Sequence, residues 1–151
     1  MPRVRIIRSA PLLAALCVAC AHTPEAPKPD PAAVKLAAET FHRKARWKDF
    51  RGAAAMVVPD RRAQFVAACE RRKDERDLEI SDYELLDLRL DPSGDRAIVV
   101  SHVSWLRLPS LTEKTDTVTT EVVREGDVWL VARQDRGPFA EELGAPYRPR
   151  P

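Results

Sequence analysis

Charge of one sign is what the chain has least to spare. Its 25 Lys and Arg stand against 23 Asp and Glu, and Arg3, Arg5 and Arg8 belong to the leading segment, which leaves 22 against 23 in the remainder. So even a balance offers no basic field to a phosphate backbone, and no nucleic-acid partner is expected. Cysteine is scarce as well. Cys17, Cys20 and Cys69, with His22, His42 and His102 scattered between them, supply no four-ligand set at zinc spacing. No Gly-rich phosphate loop, H-E-x-x-H or G-x-S-x-G run occurs, and Asp and Glu are plentiful but unclustered. No metal and no cofactor is expected, and no catalytic residue is assigned. The one sustained apolar run, before Cys20, falls short of the roughly 20 residues a membrane-spanning helix needs.

What is present is unevenly placed. Of the 13 prolines, Pro24, Pro27, Pro29 and Pro31 crowd one end and Pro138, Pro146, Pro149 and Pro151 the other, which frames one domain of ordinary size between two stiff, extended segments.

The amino terminus has the order of an export signal: "MPRVRIIR" is positive, "SAPLLAALCVA" is apolar and ends in small residues, and prolines with charges follow. Leu16 to Cys20, "LCVAC", resembles a bacterial lipobox, with Cys17 where leucine is commonest in that pattern. The resemblance implies cleavage before Cys20 and lipid on its sulfur, so that residues 1–19 are signal and 20–31 a lipidated cysteine with a Pro-rich tether. Ala21 stands where an aspartate commonly retains such proteins in the inner membrane, which points to the outer membrane, facing the periplasm. Ordinary cleavage after Ala21, giving a soluble secreted or periplasmic protein, is the competing reading. A redox role for Cys17 and Cys20 would need a strand entering a helix inside a folded unit, which this segment is not.

Asp30 and Pro31 offer an N-cap and a first-turn proline, and "AAVKLAAETFHRKARWKDF" follows with strong helix formers. Val34, Ala37, Ala38, Phe41 and Ala45 share one face; Leu36, Thr40, Trp47 and Phe50 share a second, which predicts a helix packed along much of its girth. Gly52 is expected to break it, "AAAMVV" to form a short helix ended by Pro59, and Asp60 to cap a third, "RRAQFVAACERRK", with Phe65, Ala68 and Cys69 inward and arginines outward. Cys69 reads as a buried structural thiol. After "DERD" the period falls to 2. "LEISDYELLDLRLD" sets Ile80, Leu86, Leu88 and Leu90 on one side, "RAIVVSHVSWLRL" has two apolar faces, "TVTTEVVR" is β-branched, and "EGD" leads to "VWLVARQ". The class is α+β: two or three N-terminal helices packed on a curved four-stranded antiparallel sheet.

The long first helix running into "ARWKDFRGAAAMVVPDRRAQF" and the closing hairpin "TTEVVREGDVWLVARQD" together resemble the nuclear-transport-factor-like superfamily, which includes ketosteroid isomerases, polyketide cyclases and small exported lipoproteins. A cystatin-like or other helix-on-sheet fold is the alternative. The resemblance covers residues 32–135 and leaves 136–151 as a Pro-rich tail. It implies a hollow between sheet and helices that some members use as a pocket; the enzymes among them place titratable groups there, and Asp82, Tyr83, His102 and Asp116 are the nearest candidates. Trp47, Tyr83, His102, Trp105 and Trp129 are the pocket residues expected, although packing is the default for buried indoles. Arg61, Arg62, Arg71, Arg72 and Lys73 would form a basic face diluted by Glu70, Asp74, Glu75 and Asp77. The expectation is a membrane-anchored envelope lipoprotein whose domain binds a small apolar ligand or an envelope protein without catalysis; a homodimer would suit the fold. A small isomerase, dehydratase or hydrolase using the hollow is the alternative.

Overall fold

A computed structural model describes residues 30–148; Cys17, Cys20 and the tether lie outside that range. Asp30 accepts from the Ala32 N–H at 2.9 Å and opens helix α1, Pro31–Arg46, with Pro31 in the first turn. Val34, Ala37, Ala38, Phe41, His42 and Ala45 are buried. Of the expected second packed face, Phe50 is buried and Thr40 half-buried, but Leu36 is 60% and Trp47 78% exposed. The break also falls earlier than expected. Lys48 turns the chain with φ 62°, and Asp49 caps α2, Phe50–Ala55, by accepting from the Gly52 N–H at 2.8 Å. Gly52 lies inside this helix, because a Cβ there would come within 2.0 Å of the capping carboxylate of Asp49.

Pro59 starts helix α3, Pro59–Arg71, at a position where its missing N–H costs nothing, and Asp60 sits in the first turn with no side-chain cap formed. A single turn, α4, Asp74–Asp77, leads into the sheet. Strands β1, Leu78–Leu90, β2, Arg96–Arg107, β3, Lys114–Glu125, and β4, Val128–Gln134, form an antiparallel meander in that order. The outer edge of β4 is covered: Val58 N–H donates to Val131 O at 3.0 Å, and Val131 N–H to Met56 O at 2.7 Å.

Two irregularities in the β1–β2 register, between Ile80 and Asp82 and between Leu85 and Asp87, decide which face each residue of β1 takes. Each bulge resets the period-2 alternation. Ile80, Tyr83, Leu85, Leu88 and Leu90 therefore line up opposite Trp105, Val103, Ser101, Val99 and Ala97. Leu86, expected inward with Ile80, is turned out and 45% exposed.

Residues beyond β4 do not form the expected tail. Phe139 and Leu143 are fully buried, and a short helix, α5, Ala140–Leu143, packs on α3 and β4. Phe139 lies 5.6 Å from Phe41, 5.3 Å from Phe65 and 6.4 Å from Phe50, ring centre to ring centre. The domain's core therefore runs past residue 135. Arg61 donates to Ala132 O at 2.7 Å and to Pro146 O at 2.9 Å; Arg133 donates to Gly144 O at 3.0 Å. Asp74, with no exposed surface, pairs with Arg72 and Arg107, and Arg72 reaches on to Glu141 and Glu142. Of the basic face expected on α3, Arg61, Arg62 and Arg72 are thus spent on backbone carbonyls and buried carboxylates.

Candidate functional site

The strand register places four polar side chains on a diagonal beneath α1. Leu85 pairs with Ser101 one step from Tyr83 and Val103, Val99 pairs with Thr120, and Thr120 pairs with Gln134. Tyr83, Ser101, Thr120 and Gln134 thus come from the four strands in turn, each on the face that α1 covers. His42, one turn after Ala38 on the buried stripe of α1, closes over them. Its ring stacks on Tyr83 with centroids 4.1 Å apart and planes 20° apart, while Phe41 meets it edge-on at 5.2 Å.

The Gln134 amide nitrogen lies 3.2 Å from Thr120 Oγ1 and 3.4 Å from His42 Nε2. With the amide donating, Nε2 is an acceptor and the single proton of the neutral ring sits on Nδ1. Burial alone holds the His42 pKa at about 3 rather than 6.5. Burial also pushes the Tyr83 phenol above its ordinary value; Ser101 opposes that shift and the negative charge of Glu39 adds to it. Four atoms of this group, His42 Nδ1, Tyr83 Oη, Ser101 Oγ and Gln134 Oε1, are buried without a hydrogen-bond partner among the described residues. Each is a group that proteins ordinarily satisfy, at a cost of about 1–3 kcal/mol when they do not.

The other expected site residues are dispersed. His102 is exposed on the opposite face of β2, beside Val100 and Ser104, and Asp82 is exposed as well. Trp47 projects into solvent, and Trp129 is core, packed with Val34, Ala38 and Val122. Trp105 is half-buried and donates from Nε1 to Asp116 at 2.8 Å, with Lys114 5.0 Å from its ring centre. Only Tyr83 of the expected set reaches the group beneath α1. His42, Ser101, Thr120 and Gln134 escaped sequence reasoning, although three left a trace: His42 continues the Val34–Ala38 stripe, Ser101 interrupts Val99 and Val103, and Thr120 interrupts Val118 and Val122.

An open groove of about 600 Å³ lies among α2, α3 and α4. Phe50, Val66 and Cys69 supply its apolar wall, with Lys48, Arg51 and Lys73 among its charged residues. Burial pushes the Cys69 thiol up to about 11 against the pull of Arg72 and Arg107, so it is no thiolate nucleophile. Among the described residues no group of three or more His, Cys, Asp or Glu is arranged to hold a metal ion, and no helix is long and apolar enough to cross a membrane.

No protein-family model matches the chain. No curated protein matches it in sequence. Its fold is shared with solved structures at low identity. A SEC-C motif containing protein from Rhodopseudomonas palustris is 15% identical, with TM-score 0.57 over 70% of this chain and 79% of that one. A ketosteroid isomerase-like protein from Erwinia carotovora atroseptica is 14% identical, with TM-score 0.54 over 69% and 92%. A proposed dehydratase of the NTF2-like, or nuclear-transport-factor-like, family from Streptomyces avermitilis is 17% identical, with TM-score 0.50 over 68% and 92%. At such identity the likeness concerns fold alone, and it agrees with the α+β cone expected from the sequence.

Proposed function

We propose that the chain is a lipid-anchored envelope protein whose domain binds a ligand without turning it over. The observation that carries this reading is the state of the buried polar row beneath α1. Its titratable pair, His42 and Tyr83, is stacked rather than hydrogen-bonded, and burial favours the neutral form of both rings. No carboxylate stands in the polar row. A general base works best with a pKa near the working pH, and an imidazole near 3 is too weak to take a proton from a substrate at neutrality. The groove bounded by Phe50, Val66 and Cys69 is of ligand size and is open to solvent, which makes it the position for a bound molecule.

Ligand-detected NMR against envelope-derived small molecules tests this. Binding should be lost in Val66→Trp, which fills the groove, should survive in His42→Gln, and should return every ligand chemically unchanged by mass spectrometry. Conversion of a compound by the wild type that His42→Gln or Tyr83→Phe abolishes would contradict it. For the anchor, Cys20→Ser should abolish acyl labelling and release the protein from membranes; a wild type that takes up no lipid would refute that part. One feature favours a second reading, a small isomerase, dehydratase or hydrolase: four polar atoms of the row beneath α1 are buried with no hydrogen-bond partner among the described residues, as groups that bind a substrate would be.

A further inference from the structure

The outward line of α1 is not that of an ordinary solvated helix. At 100° per residue, Leu36, Arg43 and Trp47 fall within about 20° of one line, directly opposite the buried stripe. Leu36 is 60% and Trp47 78% exposed, and about 16 Å separates them along the axis. A single exposed apolar side chain is unremarkable; two on one line with a cation between them form a pattern. Arg43 lies on that line, Arg46 and Lys35 lie about 80° and 100° round one side of it with Glu39 at about 60° on the same side, and all three cations are exposed. Arg43 donates to Thr40 Oγ1, and neither Arg43 nor Arg46 has an acidic partner among the described residues. Glu39 is the one acid on the helix, and it is half-buried beside Lys35 at 3.7 Å.

The position of this line completes the argument. The helix starts at Pro31, and nine residues lie between its N-cap Asp30 and Cys20, a span of at most about 35 Å over ten Cα steps. A lipid at Cys20 would therefore keep the whole length of α1 within reach of the bilayer it enters. An indole and a leucine at interface depth, with guanidinium groups at the level of the phosphates, is the chemistry by which amphipathic helices lie on anionic lipid.

We infer that the outer face of α1, through Leu36, Arg43, Arg46 and Trp47, is a second membrane contact that lays the domain on an anionic phospholipid surface. The inference extends the anchor reading, and its test is independent of the anchor. Every core residue among the described ones lies between Val34 and Leu143, so the chain from Ala21 onward keeps all of them and can be made without lipid. That protein should co-sediment with vesicles of phosphatidylglycerol and phosphatidylcholine in equal parts and hardly at all with phosphatidylcholine alone, with its Trp47 emission shifted to the blue. Arg43→Glu with Arg46→Glu should weaken partitioning at least about twentyfold, and Trp47→Ser should remove the shift, with circular dichroism and the melting temperature unchanged. No binding to anionic vesicles, or binding that these variants leave intact, would overturn the proposal. So would a dimer in solution that Trp47→Ser dissolves, because the face would then be a contact between copies of the chain. Failure here leaves acyl labelling of Cys20 untouched, and failure of that labelling leaves the vesicle result standing.

Discussion

His42 is the residue on which the interior turns. Its imidazole is sealed between Phe41, Tyr83 and Gln134, where a charge would have no counter-ion and little solvation. The unfolded chain carries an ordinary histidine with a pKa near 6.5, while the folded one holds the proton only near 3. Below 6.5 the unfolded state therefore binds the extra proton, and folding stability falls as the pH drops from 6.5 toward 3. Between pH 7 and pH 5 the wild type should lose about 2 kcal/mol more than His42→Gln, as read by urea unfolding at the two pH values. Equal losses in both proteins would mean that the imidazole is not sealed. At the same scale, Gly52→Ala should cost about 1 kcal/mol, because a methyl group at that point displaces the Asp49 carboxylate that caps α2.

At the scale of elements, the segment after β4 carries more than its composition suggests. Phe139→Ala empties the place where α1, α2 and α3 meet and should cost about 3–5 kcal/mol in urea unfolding. Glu141→Ala, on the exposed side of the same turn, should stay within about 0.5 kcal/mol. The helices and strands themselves were legible from the chain, since Asp30–Pro31, the Val34–Ala45 stripe and the change to period 2 after Asp77 are local signals. Three features were not. The bulges in β1 depend on pairing with β2, so Leu86 read as inward from a simple alternation. The closing segment was hidden by prolines that read as an extended tail, although Phe139 and Leu143 are placed to bury. Arg61 and Arg72 read as surface cations because the Ala132 carbonyl that Arg61 reaches and the Glu142 carboxylate that Arg72 reaches lie 71 and 70 residues away in the chain.

At the scale of the whole molecule, a helical layer closes on a meander over a buried polar row assembled one side chain per strand. That diagonal could not be read from the sequence, because it depends on the stagger between four strands and on which face the bulges choose. The resemblance to isomerase-like and dehydratase-like cones supplied the shape and misdirected the site. Of its nearest candidates, Asp82, Tyr83, His102 and Asp116, the fold brings only Tyr83 beneath α1 and leaves the others on the far face or tied to Trp105. What the fold brings together beside Tyr83 is His42, with burial favouring the neutral form of both rings, and amide and hydroxyl neighbours in Gln134, Thr120 and Ser101. An imidazole-detected NMR titration of the full domain from pH 8 to pH 5 reads whether His42, buried against Tyr83, takes up a proton. His42 should keep the chemical shifts of a neutral ring protonated at Nδ1 throughout; a His42 midpoint between pH 6 and 8 would contradict the account.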